Sequence, residues 1–118
     1  APHHYEDKDV DFSMAANGIS GLESAFSLAY TYLVDSGIIS LDKLSELMSK
    51  RPAELLKIEC GKIEKGGLAD ITLVDLNKEY QIDSETFKSK GKNTPFDGWK
   101  VKGKVMKTLV EGKVKYSV

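Results

Sequence analysis

Cysteine is almost missing from this 118-residue sequence: Cys60 stands alone, so no internal disulfide can form. A chain without bridges fits a reducing, cytoplasmic setting. Long apolar runs are lacking too. No stretch reaches the roughly 20 residues that a helix needs to span a bilayer, which excludes a membrane partner of that kind. The opening residues, APHHYEDKDVD, carry neither the basic nor the apolar region of a signal peptide. No charge of one sign dominates. The formal net charge is −1, and no Lys/Arg cluster is interleaved with aromatics, so nucleic acid is excluded as a partner. Histidine is scarce, with only His3 and His4. There is no internal repeat and no low-complexity segment. The length is that of one domain, enough to bury a core. The polar opening has no element before it and no methionine start, which points to a chain that begins mid-protein.

What is present changes character at Gly61–Asp75, GKIEKGGLADITLVD. Before it, apolar residues recur at helical spacing; after it, they alternate as in strands. Residues 1–20 read as irregular and end on the turn pair Asn17-Gly18. Gly21 to Ser36 predicts a helix with Leu22, Ala25, Phe26, Ala29, Leu33 and Tyr30 as its stripe, Ser20 and Glu23 as a capping box, and Gly37 as its end. Ser40 caps a second helix with Leu41, Leu44, Leu47 and Met48 facing inward. Pro52 opens a third, short helix carrying Leu55, Leu56 and Ile58, closed by Gly61. Gly66-Gly67 supplies a turn, after which Ile71 and Leu73 share one side of a strand. Strands are predicted at about 70–76, 79–82, 101–110 and 112–117, the last two joined at Glu111-Gly112. A long polar loop runs from Ser84 to Trp99, and its Pro95, Phe96 and Trp99 read as an aromatic cover, with a ligand pocket as the alternative.

Chemistry is sparse. His3 and His4 with Asp7, Asp9 and Asp11 suggest a metal, but adjacent histidines point apart, and a catalytic zinc needs three converging ligands. A solvated acidic loop is the simpler account. Cys60 has no histidine near it in sequence and reads as a small buried residue. The glycines at 18, 21, 66 and 67 do not form a dinucleotide fingerprint, because no strand precedes Gly18. The residues alone give a soluble α+β piece without a complete active site: no metal ligand set, no catalytic nucleophile–base pair.

Three stretches carry a resemblance. The first is Ala1-Pro2-His3 followed by Glu6, Asp7 and Lys8. The second is Ala15-Ala16-Asn17-Gly18-Ile19-Ser20-Gly21-Leu22-Glu23. The third joins Ser49–Ala53, Gly61–Asp75 and Ser89–Gly98 (SKGKNTPFDG), then Gly103 and Gly112–Tyr116. In this order they resemble the C-terminal end of a dihydroorotase, a cyclic amidohydrolase. The Asn-Thr-Pro-Phe-x-Gly wording favours that branch over allantoinase and dihydropyrimidinase.

The resemblance implies a fragment in two parts. Residues 1–58 would be the last βα loop and helices of a (β/α)8 metal-hydrolase barrel. Residues 59–118 would be the C-terminal strands of a small β-sandwich. It implies an enzyme with a binuclear zinc centre that interconverts N-carbamoyl-L-aspartate and L-dihydroorotate in pyrimidine biosynthesis. The family's metal ligands and proton-shuttling aspartate match no residue here, so the fragment is expected to be inactive and without zinc. His3 matches a histidine that contacts the substrate carboxylate, and Asn17 and Gly18 match a turn meeting the same end. The pattern departs at Ala16-Asn17, where many relatives have Pro-Phe; this alters pocket shape but keeps the backbone donors. Self-association of the fragment through open strand edges is expected, and aspartate transcarbamoylase is a candidate partner of the whole enzyme. The remaining readings are a fragment of another cyclic amidohydrolase, or a degenerate, non-catalytic scaffold.

Overall fold

The computed structural model describes residues 3–118; Ala1 and Pro2, which begin the first matching stretch, lie outside the described residues. After a 3-10 turn at Tyr5–Asp7 the chain is irregular until helix α1, Ala25–Ala29, which runs on into a π turn at Tyr30–Val34. The helix therefore starts four residues later than the stripe from Gly21 predicts. Its end agrees: Gly37 sits at φ +77, the left-handed region that glycine enters without penalty.

Helix α2, Leu41–Ser45, is capped as predicted, Lys43 N–H donating to Ser40 Oγ at 3.1 Å. It does not stop before Pro52. It continues through a second π turn, Glu46–Lys50, into α3, Arg51–Leu56, so the predicted second and third helices are one rod. Proline lacks an N–H and crowds the preceding turn. The widened turn, in which Arg51 N–H reaches Glu46 O, lies just ahead of Pro52 and gives it room. Gly61 does not close the rod. Lys57 does, at φ 57: its N–H donates to Glu54 O at 3.2 Å and that of Ile58 to Ala53 O at 3.1 Å, a Schellman pair. Gly61 serves a close approach instead, since a Cβ there would lie 2.9 Å from Ser49 O.

The second half is an antiparallel meander of β1, Ile71–Gln81, β2, Lys100–Val110, and β3, Lys113–Ser117, in that order. The predicted strands at 70–76 and 79–82 are one strand interrupted by a bulge. Asp75 pairs with Lys104 and Glu79 with Lys102, so Leu76, Asn77 and Lys78 together face Gly103. Asn77 N–H donates to Asp75 Oδ1 at 3.0 Å, a local turn that takes up the extra length. A second shift between Leu73 and Val74 moves the half-buried positions from Ile71 to Val74 and Leu76, leaving Leu73 exposed. Glu111 and Gly112 both have positive φ, as a two-residue type I′ hairpin requires.

The buried apolar side chains fall in two places. Leu44 and Ala53 lie in the helical rod; Ile82 and Val101 lie where the sheet meets the loop. The predicted stripe of α1 packs only in part: Phe26 and Tyr30 are half-buried and lie against Gly103, but Leu22 is 97% exposed, and the fully buried positions are Ser24 and Ser27. The outline is elongated, 52 × 30 × 27 Å, and Leu55, Leu56 and Ile63 are all largely exposed.

Candidate functional site

The site is built where the irregular N-terminal segment meets the loop between β1 and β2. His3 and His4 are both exposed, and His4 N–H donates to Asp7 Oδ2 at 3.2 Å. Ala16 N–H donates to Asp7 O at 2.9 Å, which ties the segment holding His3 to the turn at Asn17-Gly18. The half-buried Lys8 reinforces that tie, its ammonium donating to the carbonyls of Ala16 and, at 2.7 Å, of Gly18. Gly18 has φ +99 with open space around it, so the backbone conformation, not crowding, requires glycine there. Asn17 and Gly18 are exposed, and the carbonyl of Gly18 is the group held from behind.

The loop closes on this turn from the other half of the chain. Asn93 Nδ2 donates to Gly18 O at 3.1 Å, and Ser20 N–H donates to Asn93 O at 2.8 Å. Ser20 Oγ donates to Gly91 O at 2.8 Å. Glu23 accepts the N–H groups of Lys88 and Ser89, both at 2.9 Å. Ser20 and Glu23 are thus not a capping box. The spacing that suits a helix start is used to bind the loop, and α1 begins only after Ser24. Within the loop, Asp97 Oδ1 accepts Ser84 N–H at 2.7 Å, and that bond holds the Asp97 carboxyl below its ordinary pKa. Phe96 and Trp99 meet edge-on at 5.2 Å, and Trp99 meets Tyr32 at 5.5 Å. The aromatics form a cover, as predicted.

A polar seam fixes α1 against the sheet, and sequence reasoning missed it. Ser27 Oγ donates to Gly103 O and receives the Tyr80 hydroxyl, both at 2.7 Å. Lys102 N–H donates to Thr31 Oγ1 at 2.8 Å, and Lys102 Nζ pairs with Asp35 at 3.0 Å. Ser27, Thr31 and Asp35 are four residues apart, hence on one helix face. That spacing was visible, but a polar stripe ordinarily reads as a solvated one. The seam matters to the site because α1 follows Ser20 and Glu23 directly, while β1 and β2 flank the loop.

Among the described residues, no group of three or more His, Cys, Asp or Glu is placed to hold a metal ion. Cys60 is partly buried and unpaired. No helix among the described residues is long and apolar enough to cross a membrane.

Comparison with known proteins places this geometry in a lineage. The amidohydrolase family profile matches residues 8–115. The chain is 51% identical over 114 residues to a protein named dihydroorotase from Acetivibrio thermocellus, covering 97% of this chain and 27% of that one. It is 53% identical over 116 residues to the dihydroorotase of a Thermoanaerobacter species, with 98% and 27% covered. The chain thus spans about a quarter of the length of the curated relatives it matches. Among solved structures, the L-hydantoinase of Arthrobacter aurescens superposes with a TM-score of 0.83 at 34% identity, covering 89% of this chain and 24% of that one. A D-hydantoinase superposes at 0.85 and 32% identity, covering 97% and 25%. A family match over residues 8–115, with the fold reproduced in two solved relatives, makes this chain a member of the amidohydrolase family.

Proposed function

We propose that this chain is the C-terminal part of a dihydroorotase, the hydrolase that interconverts N-carbamoyl-L-aspartate and L-dihydroorotate. One observation carries the reading: about half of the residues are identical to proteins named dihydroorotase along nearly the whole chain. In this reading residues 1–58 complete a catalytic barrel and residues 59–118 belong to its β-sandwich. His3 meets the substrate carboxylate, and the Asn17-Gly18 turn offers backbone N–H groups to the same end. A carboxylate suits such donors, because charge-assisted hydrogen bonds are the strong ones. A zinc centre belongs to this function. In this reading the residues of this chain bind and position the substrate.

The two solved relatives described above are hydantoinases, and at their lower identity they give weaker support to a second reading in which the enzyme opens another cyclic amide. The test is turnover by the whole enzyme, with L-dihydroorotate, hydantoin and allantoin offered in parallel. Preference for L-dihydroorotate by at least about tenfold in kcat/KM supports the first reading; preference for hydantoin or allantoin replaces it.

The same reading bears on the isolated chain. β1 and β3 are the outer strands of the described sheet, and exposed Val114 and Tyr116 lie on β3. Unpaired strand edges beside apolar groups recruit further strands. The purified 118-residue chain is expected to associate with itself, its sedimentation coefficient rising with concentration. A monomer that persists to high concentration contradicts this.

A further inference from the structure

We propose that Lys8 and Asn93 are positioning residues that aim the backbone of the 16–19 turn at the substrate carboxylate. The inference rests on the reading of Asn17-Gly18 as the carboxylate-binding turn and adds how that turn is held and which donors it presents. Lys8 donates to the carbonyls of Ala16 and Gly18, and Asn93 Nδ2 donates to the same Gly18 oxygen at 3.1 Å. A carbonyl oxygen has two lone pairs, so two donors occupy the Gly18 oxygen fully. Each carbonyl shares a planar, trans peptide unit with the next N–H, and the two point in opposite directions. Fixing the carbonyl of Ala16 therefore turns the N–H of Asn17 away from Lys8. Fixing that of Gly18 does the same for the N–H of Ile19.

The donors presented are thus those of Asn17 and Ile19, on either side of a glycine whose φ of +99 bends the chain between them. The Lys8 ammonium lies behind them and adds a positive charge favourable to a carboxylate. Asn93 is itself fixed, because its carbonyl accepts the N–H of Ser20 at 2.8 Å. The strand half of the chain thereby takes part in substrate binding without touching the substrate. No side chain at position 17 is needed for this, so the departure from Pro-Phe at Ala16-Asn17 leaves the device intact.

The test uses the whole enzyme with Lys8→Met, Lys8→Arg and Asn93→Ala. Lys8→Met is expected to raise KM for L-dihydroorotate about tenfold and to leave kcat within about twofold, as loss of uniform binding does. Lys8→Arg restores most of that affinity, because guanidinium also donates to carbonyls. Asn93→Ala raises KM by about threefold on the same logic. Amide exchange at Asn17 and Ile19 quickens in Lys8→Met and Asn93→Ala alike, a readout that does not depend on the substrate.

An active wild type with unchanged KM in Lys8→Met overturns the inference and leaves the functional reading standing. So does an equal loss in Lys8→Arg, or a fall in kcat with KM unmoved. A wild type inert toward L-dihydroorotate overturns the reading, and the inference with it.

Discussion

Gly103→Ala is expected to destabilise the protein by about 2–5 kcal/mol, combining left-handed backbone strain of roughly 1–2 with overpacking of roughly 1–3. Gly103 has φ +82 at the point where the β1 bulge meets α1. A Cβ there would lie 3.0 Å from Tyr30 Cδ1 and 3.1 Å from Phe26 Cε1. Those rings stack in parallel with centroids 6.0 Å apart, so neither yields without displacing the other. The buried Ser27–Gly103 hydrogen bond would move with them. Gly37→Ala is the control: its φ is +77, but nothing lies within 4 Å of a Cβ, so only the backbone cost applies. Chemical denaturation with an unchanged m-value measures both. Equal losses in the two variants would mean that the rings do not bear on the sheet at Gly103.

The second large effect is functional. In the whole enzyme, His3→Ala is expected to lower kcat/KM for L-dihydroorotate about tenfold to a hundredfold, the cost of losing one charge-assisted hydrogen bond. Metal content should stay at the wild-type level, because the proposed role gives His3 to the substrate carboxylate and not to the metal. If metal is lost instead, and normal kinetics return on reconstitution, His3 is a ligand and its assignment to the carboxylate is wrong. His3→Gln offers a second check, since an amide can donate to the carboxylate without a charge and should fall between the two.

The order of elements was legible: helices before Gly61, strands after it, a tight hairpin at Glu111-Gly112, and a long loop closed by its own aromatics. Local chemistry decides those features. Glycines at positive φ, the Ser40 cap and period-two alternation each act within a few residues. What was not legible depended on partners far along the chain. Ser20 and Glu23 have the spacing of a capping box, yet they bind Gly91, Lys88 and Ser89. Leu22 sits at an apolar position of the predicted stripe and is exposed, while Ser27 is buried by Gly103 and Tyr80. Pro52 looked like a helix start because the π turn that accommodates it has no signature of its own. Of the candidate site, the turn at Asn17-Gly18 was legible from the residue pair itself, and its proposed substrate role came only from resemblance; the bonds that Lys8 and Asn93 make to it were not legible. Asn93 reaches Gly18 across 75 positions, and the nearer contacts of Lys8 with Ala16 and Gly18 arise from an irregular segment whose path no periodicity marks.

Residues 3–19, braced by the loop at 84–99, are proposed to form the carboxylate end of a substrate site. A crystal structure of the whole enzyme with L-dihydroorotate bound tests it directly. The expected result is a substrate carboxylate within about 3.2 Å of the His3 imidazole and of backbone N–H groups at 17–19, with Lys8 and Asn93 on the far side of the turn. A bound substrate whose carboxylate is held by other residues, with this turn out of reach, would contradict it.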